Sequence, residues 1–400
     1  MVRMRRESCG RDPELRSQID SLVILDRAVD LISPLPTQLT YEGLVDEMFG
    51  ITCATVNIPE PEKKTLSLTS QEELFQELRG LNFNAVGPTL SRKARGIKAM
   101  EDQRHEAKTP RLILQHFSIV TEKYFYNREL RAFVDKLPVL QATKQSLATH
   151  TGLAERVKAC IDTEEFLQVL ELEQRILTSQ GEGGRYLEEV EDLACCGTVS
   201  LESILRVICL QSVVCGGLKP RVTEAYQRLL METFGYNQLL SLHNLSTAGL
   251  LVSSSTNKRS QYSVLSKRLG LIMDNVDEQS PHDIAFVHTV YAPLSVRLVQ
   301  QLEAPGWRNI RDVLDMLPGP SFEDTQQIAM GGLQRRRGPA DTKVVLVFYI
   351  GGVTMAEVAA LRWLSARQGA GVEYVIATTS VITGNSFIQT LYDKLEAPIF

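Results

Sequence analysis

Several things are scarce in this 400-residue sequence, and each shortage excludes something. There is no C-x-x-C pair among its seven cysteines, and no H-x-x-x-H or H-E-x-x-H spacing among its six histidines, so the usual zinc signatures are absent. Neither G-x-G-x-x-G nor G-x-x-x-x-G-K-[ST] occurs, which removes the two common phosphate-cradling fingerprints, and no G-x-S-x-G nucleophile elbow is found. No apolar run approaches the roughly 18 residues of a membrane-spanning helix. There is no surplus of positive charge either. With 43 basic and 48 acidic residues the net charge is -5, so no general field for nucleic acid exists. The basic start, MVRMRRESCGRDPELR, has no apolar segment behind it and does not read as a secretory signal. Without such a signal the odd cysteine count points to the reducing cytosol, and the sequon at Asn244 reads as chance.

What is present is a globular composition, 44% hydrophobic and 23% charged, in a chain long enough for about two or three domains. The ends and the middle differ. Ser21 to Leu25 (SLVIL) is a short apolar run that predicts a strand buried on both faces of a parallel sheet. Pro34 and Pro36 then interrupt the chain, and Thr40 to Phe49 predicts a short helix. Residues 57–70 are rich in proline and charge and read as a loop. Ser70 and Glu73 have the spacing of a capping box at the start of the next helix. From there to about residue 250 helical periodicity dominates. Leu74, Leu78 and Leu81 share one face, Leu130, Phe133, Val134 and Leu137 another, and Leu201, Ile204, Leu205 and Ile208 a third. Gly181 to Gly184 marks a break, and Gly216-Gly217 a helix end. Residues 110–127 sit badly in this pattern, being aromatic and β-rich between helical neighbours. Residues 253–262 and 319–342, the latter with Arg335 to Arg337 in a row, read as polar connections. After them Lys343 to Ile350 predicts a buried strand, Gly351-Gly352 a turn, Thr354 to Ser365 a helix and Val372 to Thr378 a second strand. This is a right-handed parallel unit. Sheet-like ends around a long helical middle describe an α/β domain with a large, mainly helical domain inserted into it.

Catalytic constellations are thin. Asp26, Arg27 and Asp30 offer paired carboxylates, but an ion pair at a strand end is the commoner arrangement. The Gly351-Gly352 turn before a helix is the one place where a nucleotide or phosphate could sit, with Thr354 as the competing reading, a plain helix cap. His150, in THTGLAE, reads as a packing or capping residue. The amphipathic helical faces favour a protein-binding scaffold.

Longer stretches carry a resemblance. IDSLVILDRAVDLISPLPTQLTYEGLVDEMFGI (19–51), FNAVGPTLSRKAR (83–95), LPVLQATKQSLATHTGLAE (137–155), YAPLSVRLVQ (291–300), PGWRNI (305–310) and GGVTMAEVAALRWLS (351–365) together resemble the Sec-one/Munc-eighteen, or SM, family, and within it the class C vacuolar sorting members. The resemblance spans nearly all of residues 19–395. It implies a Sec1-like fold, here N-terminally truncated, with residues 1–18 a divergent tail, 19–60 the first part of the second α/β domain, 61–330 the mainly helical insertion, 331–342 a loop and 343–400 the rest of the α/β domain. It also implies that the chain is not an enzyme and needs no cofactor. It would bind SNARE helices and help them assemble as a subunit of the HOPS and CORVET tethering complexes, peripheral on late endosomes, lysosomes and early endosomes, with a part in autophagy. Recruitment would be by the C-terminal helical region of vacuolar sorting protein sixteen and other class C subunits, with membrane contact only through partners.

The same resemblance implies a SNARE-facing hairpin through about residues 128–160. Its residues would include Phe133, Leu137, Gln141 and a hinge proline, Pro138, that permits bent and extended states. The partner subunit would dock across roughly 260–320 and 343–395, with Tyr262 and Trp307 as aromatic anchors. Residues 110–127 would be an extra segment beside the hairpin. The rival readings are an α/β enzyme using the Gly351-Gly352 turn, and a truncated, inert isoform.

Overall fold

The structure, a computed structural model, describes residues 19–58, 64–108, 122–179, 186–254, 260–301, 306–324, 342–367 and 371–391; the side chains of Lys64 and of the helical residues between 103 and 138 lie outside that description. Three hydrophobic cores share the molecule. In chain order the elements are β1 (Ser21–Asp26), α1 (Tyr41–Phe49), β2 (Ile51–Thr52), β3 (Thr55–Ile58), β4 (Lys64–Ser67), α2 (Glu73–Leu78), α3 (Phe83–Lys108) and α4 (Glu122–Ile161). There follow α5 (Glu164–Thr178), α6 (Leu187–Cys195), α7 (Leu201–Cys215), α8 (Pro220–Phe234), α9 (Gln238–Thr247) and α10 (Gln261–Leu269). The last are α11 (Leu294–Gln301), α12 (Arg311–Leu314), β5 (Lys343–Ile350), α13 (Met355–Ala366), β6 (Val372–Thr378) and α14 (Gly384–Gln389).

The first core belongs to a parallel sheet of order β1-β5-β6, joining the two ends of the sequence across more than 300 residues. Val23, Leu25, Val345, Val347 and Tyr349 point to one side, where α11 and α13 cover them. Part of residues 284–301, which the sequence assigns to the helical insertion, packs into this core: Phe286, Val296 and Val299 are buried in it, while Tyr291, Leu294 and Leu298 of the same segment are buried in the helical core. Period-two alternation is why only one side of each strand enters the core. The strand at residue 21 is therefore covered on one face and not both, because Leu22 and Ile24 face outward.

The second core is helical. The face formed by Ile204, Leu205 and Ile208 on α7 is its centre, with α5, α6, α8, α9 and α10 around it. α7 ends as its glycines require: Gly216 is left-handed at φ 69° and caps the helix. Residues 180–185, with the expected Gly181 to Gly184 break, lie outside the described residues.

The third core is smaller. The antiparallel sheet β2-β3-β4, α1, α2 and the adjoining parts of α3 and α4 enclose Leu44, Val56, Leu66, Leu78, Val86 and Leu153. Here the sequence misleads. Part of 57–70 is strand, not loop, and the β2–β3 hairpin turns at Cys53 and Ala54, both left-handed at φ 49° and 57°. That conformation is normally signalled by Asn-Gly, which is why the hairpin leaves no mark in the sequence. The capping box at Ser70 is also not formed. The helix begins after Glu72, and the Ser70 hydroxyl accepts from the Arg79 guanidinium at 2.8 Å. Residues 122–127, read as β-rich, are helical. Residues 109–121 lie outside the described residues, as do 325–341.

Candidate protein-binding surface

The Gly351-Gly352 turn comes first, as the sequence's best enzymatic candidate. Both glycines are left-handed, at φ 92° and 107°, and a Cβ on Gly351 would meet the Arg27 Cβ at 2.8 Å. The following helix N-terminus is already filled by the chain's own carboxylate. Thr354 and Glu357 form a complete capping box, and Glu357 takes two hydrogen bonds from Arg27, at 2.8 and 3.0 Å, and one from the Ser295 hydroxyl. Asp30 completes the knot, accepting from the Ser33 hydroxyl at 2.5 Å and the Ser295 amide at 2.9 Å. Burial alone would push the Glu357 carboxyl up. The Arg27 charge and the hydrogen bonds overcome this and hold it below the ordinary carboxylate range. Burial likewise opposes the Arg27 charge, and Glu357 and Asp30 outweigh it. A phosphate here would face a buried carboxylate, so the turn is structural; Arg27 pairs with Asp30 and Glu357, and Asp26 caps the turn after β1 by accepting from the Ala28 amide, so the three do not form an acid-base pair.

A second cluster fixes α4. His150 is fully buried, its ring stacked on Phe75 with centroids 5.8 Å apart. Its Nδ1 lies 2.9 Å from the Tyr41 hydroxyl and its Nε2 3.1 Å from a Glu72 carboxylate oxygen. The neutral tautomer with hydrogen on Nε2 satisfies both: Tyr41 donates to Nδ1 and the ring donates to Glu72. Ser146, one turn earlier, also donates to Glu72. Burial lowers the histidine's pKa, with the Glu72 charge acting against it. Leu153 and Val157 complete the anchorage, so α4 is held over its C-terminal third by α1 and α2. The sequence reading of His150 as a packing residue is correct, but its partners were not legible.

Earlier in the helix the surroundings open. Val139 is 66% exposed, and Gln141, Ala142, Lys144 and Gln145 are exposed with it. α3 runs beside α4, linked by a Lys144–Glu101 ion pair. Between the two helices lies a groove of about 430 Å³, floored by small residues including Gly87, Ala94 and Ala154 and flanked by Phe83, Glu155 and Lys158. Residues 128–160 lie wholly within α4, and the helix partnering it is α3. α4 continues unbroken through Pro138. Phe133, Leu137 and Pro138 are thus on one helix with Gln141, and of these only the Gln141 side chain is among those described.

The two aromatic anchors fare differently. Tyr262 is only 4% exposed, and its hydroxyl donates to the Leu177 carbonyl at 3.0 Å in the helical core. It is therefore corrected from docking residue to core residue: the apolar side of α10 faces α7. Trp307 is half-buried, touches both the sheet core and the helical core, and donates from its indole nitrogen to the Leu298 carbonyl at 3.0 Å. Among the described residues no group of three His, Cys, Asp or Glu is placed to hold a metal, and no helix is long and apolar enough to cross a membrane.

Known proteins share this architecture. Residues 8–390 match the Sec1 family profile. Vacuolar protein sorting-associated protein 33A of Rattus norvegicus is 43% identical over 414 residues, covering 98% of this chain and 65% of the relative. The protein of the same name from Drosophila melanogaster is 36% identical, covering 93% of this chain and 63% of the relative. The chain thus spans a little under two thirds of the length of these relatives. Among solved structures, the SM protein Vps45 in complex with the Qa SNARE Tlg2 superposes with a TM-score of 0.63 at 21% identity, over 94% of this chain and 60% of that one. The Unc18–syntaxin 1 complex from Monosiga brevicollis gives 0.55 at 19% identity, over 96% of this chain and 62% of that one. With the profile matched over almost the whole chain and the fold shared with SM proteins, the chain belongs to the Sec1 family.

Proposed function

We propose that this chain is a non-enzymatic SM-type chaperone of SNARE assembly, and that it acts as a class C tethering subunit of HOPS or CORVET in vesicle docking and fusion. The observation that carries this reading is α4, firmly rooted at His150, Leu153 and Val157 and open from Val139 to Gln145. Forty residues of helix extend about 60 Å. A helical face of that length suits another helix laid alongside it, and two solved relatives of this fold are complexes with SNAREs. Preorganising one SNARE helix beside another reduces the ordering cost of the bundle, so the chain works by templating and not by bond chemistry. Phe133, Leu137, Pro138 and Gln141 contribute the SNARE contact, with Pro138 the hinge between extended and bent helix. The C-terminal helical region of vacuolar sorting protein sixteen recruits the chain through the 260–320 and 343–391 region, Trp307 included. This places it peripherally on late endosomal, lysosomal and early endosomal membranes.

The test is binding of labelled Qa and R SNARE helical regions to the chain co-purified with the recruiting subunit's C-terminal region. Gln141→Ala with Leu137→Ala is expected to weaken SNARE binding at least tenfold and leave the recruiting complex intact. Unchanged SNARE affinity in that double variant would remove α4 as the contact, and unchanged affinity and fusion stimulation in Pro138→Ala would remove the hinge.

A further inference from the structure

Ser70 has the surroundings of a serine that can carry a phosphoryl group. It stands in the turn between β4 and α2 with Thr69 and Gln71, all three exposed, and the Glu72 amide donates back to the Thr69 carbonyl at 3.1 Å. Carboxylates follow it, Glu72 and then the exposed Glu73. Its hydroxyl accepts from the Arg79 guanidinium at 2.8 Å, and among the described residues Arg79 has no carboxylate within ion-pair distance. Close to Arg79 stands Arg362, whose own partner is Glu42. Burial, and then the Arg362 charge, hold the Arg79 guanidinium below its ordinary range, with Glu42 acting against them. Two guanidiniums therefore share one carboxylate, and the hydroxyl in contact with the less compensated one is exposed. Thr163 has a similar flank in Glu164-Glu165, but its hydroxyl is engaged by the Cys160 carbonyl at 3.0 Å and meets no arginine.

We propose that Ser70 is a phosphorylation site, its phosphoryl group held by Arg79 in a charge-assisted pair that clamps α2 at the root of α4. α2 has six residues, too few for its terminus to hold an anion, so the holding group is the arginine. A phosphoserine carries about −1.5 to −2 charges at pH 7 and three acceptor oxygens, which a guanidinium fork meets two at a time. The donor is ATP, and the enzyme is a serine/threonine kinase whose basic groove accepts carboxylates C-terminal to the target. The bond from Ser70 Oγ to the γ-phosphorus forms and that to the β,γ-bridging oxygen breaks. ADP leaves with the electron pair, and the hydroxyl proton passes to the kinase's catalytic carboxylate. The clamp runs from the turn before α2 to Arg79 just after it, and between them lie Glu72 and Phe75, which hold His150. An effect on SNARE binding rests on the function proposed for α4; the modification and the clamp do not.

The experiment incubates the full 400-residue chain with ATP and an acid-directed serine/threonine kinase. Peptide mass spectrometry is expected to find phosphate at Ser70, and Ser70→Ala should abolish that signal. Glu73→Gln, outside the His150 cluster, should slow uptake at Ser70 at least fivefold. The second ionisation of a phosphoserine falls at about pH 6, and Arg79 should lower its phosphorus-NMR titration midpoint by about half a pH unit or more. In Arg79→Gln the midpoint should return to that of a phosphorylated peptide of residues 64–79. Hydrogen exchange over residues 146–157 should slow at least threefold on phosphorylation of the wild type and stay unchanged in Arg79→Gln. No uptake at Ser70 while the 64–79 peptide is phosphorylated, or uptake at Thr163 in its place, overturns the assignment. A titration midpoint that is the same in wild type and Arg79→Gln overturns the clamp. Should Arg79→Gln unfold, Arg79→Lys serves instead, since it keeps the charge and loses the fork. A midpoint lowered less than in the wild type is then the expected result, and an unlowered midpoint in the wild type itself the overturning one.

Discussion

Two of the buried polar clusters that fasten this molecule differ in kind. At the end of β1, Arg27 and Glu357 form a fully buried ion pair with further partners in Asp30 and Ser295, joining segments 330 residues apart. At the root of α4, His150 is buried neutral, between one hydroxyl and one carboxylate. The first cluster keeps its charges because each compensates the other's desolvation. The second avoids a buried cation by using the neutral imidazole. An ion pair of that sort is insensitive to pH near neutrality and costly to break by halves, whereas a neutral histidine is cheaper to lose and responds to mild acid. The sheet is therefore the fixed part, and the α4 root is the adjustable part that carries the proposed SNARE surface.

The contrast is sharpest at Arg27. Arg27→Ala leaves the Glu357 carboxylate buried without its cation and is expected to cost about 3–5 kcal/mol in urea unfolding. Arg27→Met with Glu357→Leu should recover much of that loss, and a single-variant cost below about 1 kcal/mol would end the comparison. At the other root Leu153→Ala, with Leu153 fully buried, is expected to cost about 2–5 kcal/mol and to raise proteolysis or hydrogen exchange along α4 before that of β5. Equal exchange in both regions would show that root and sheet unfold as one unit.

The pH dependence between 7.5 and 5.5 separates the clusters. Burial holds the folded-state pKa of His150 below its unfolded value near 6.5. The folded state then binds fewer protons at this site, so its stability contribution is complete above about 6.5 and is lost as the pH falls through that value toward the folded pKa. The stability advantage of the wild type over His150→Gln should accordingly narrow between pH 7.5 and 5.5. The difference between the wild type and the Arg27→Met, Glu357→Leu double variant should stay level over the same interval, because Arg27 holds the Glu357 carboxyl below the ordinary carboxylate range in the wild type and the double variant has no ionisable group there. The smallest effect is expected on the open stretch of α4. Gln141→Ala should move stability by no more than about 0.5 kcal/mol, and thermal unfolding checks this; a larger loss would mean that this stretch is packed rather than open.

The parts legible in the sequence are those whose signal is local. SLVIL, KVVLVFYI and VEYVIAT are strands because each is a short apolar run rich in β-branched residues, and β5-α13-β6 is parallel because a connection of that length folds back right-handed. Thr40 and Thr354 cap helices as their side chains allow. The β2–β3 hairpin was not legible, since its turn uses Cys53-Ala54 in place of the usual glycine. Ser70 was misread because the spacing of a capping box fixes no hydrogen bond by itself. Of the proposed contact residues, Tyr262 was chosen as an aromatic within the docking region that the resemblance implied, and neither ground can say whether an aromatic faces a partner or its own core.

By itself the sequence determined the segments, their periodicities, the parallel end unit and the absence of familiar catalytic and metal spacings, because these depend on neighbours a few residues apart. Only the tertiary structure decided that residue 357 neutralises residue 27, that Glu72 and Tyr41 hold His150, that residues 284–301 pack on both the sheet core and the helical core, and that one sheet face is left uncovered by the described residues. Each of those facts is set by contacts between residues far apart in the chain, where burial and desolvation, not local propensity, select the partner.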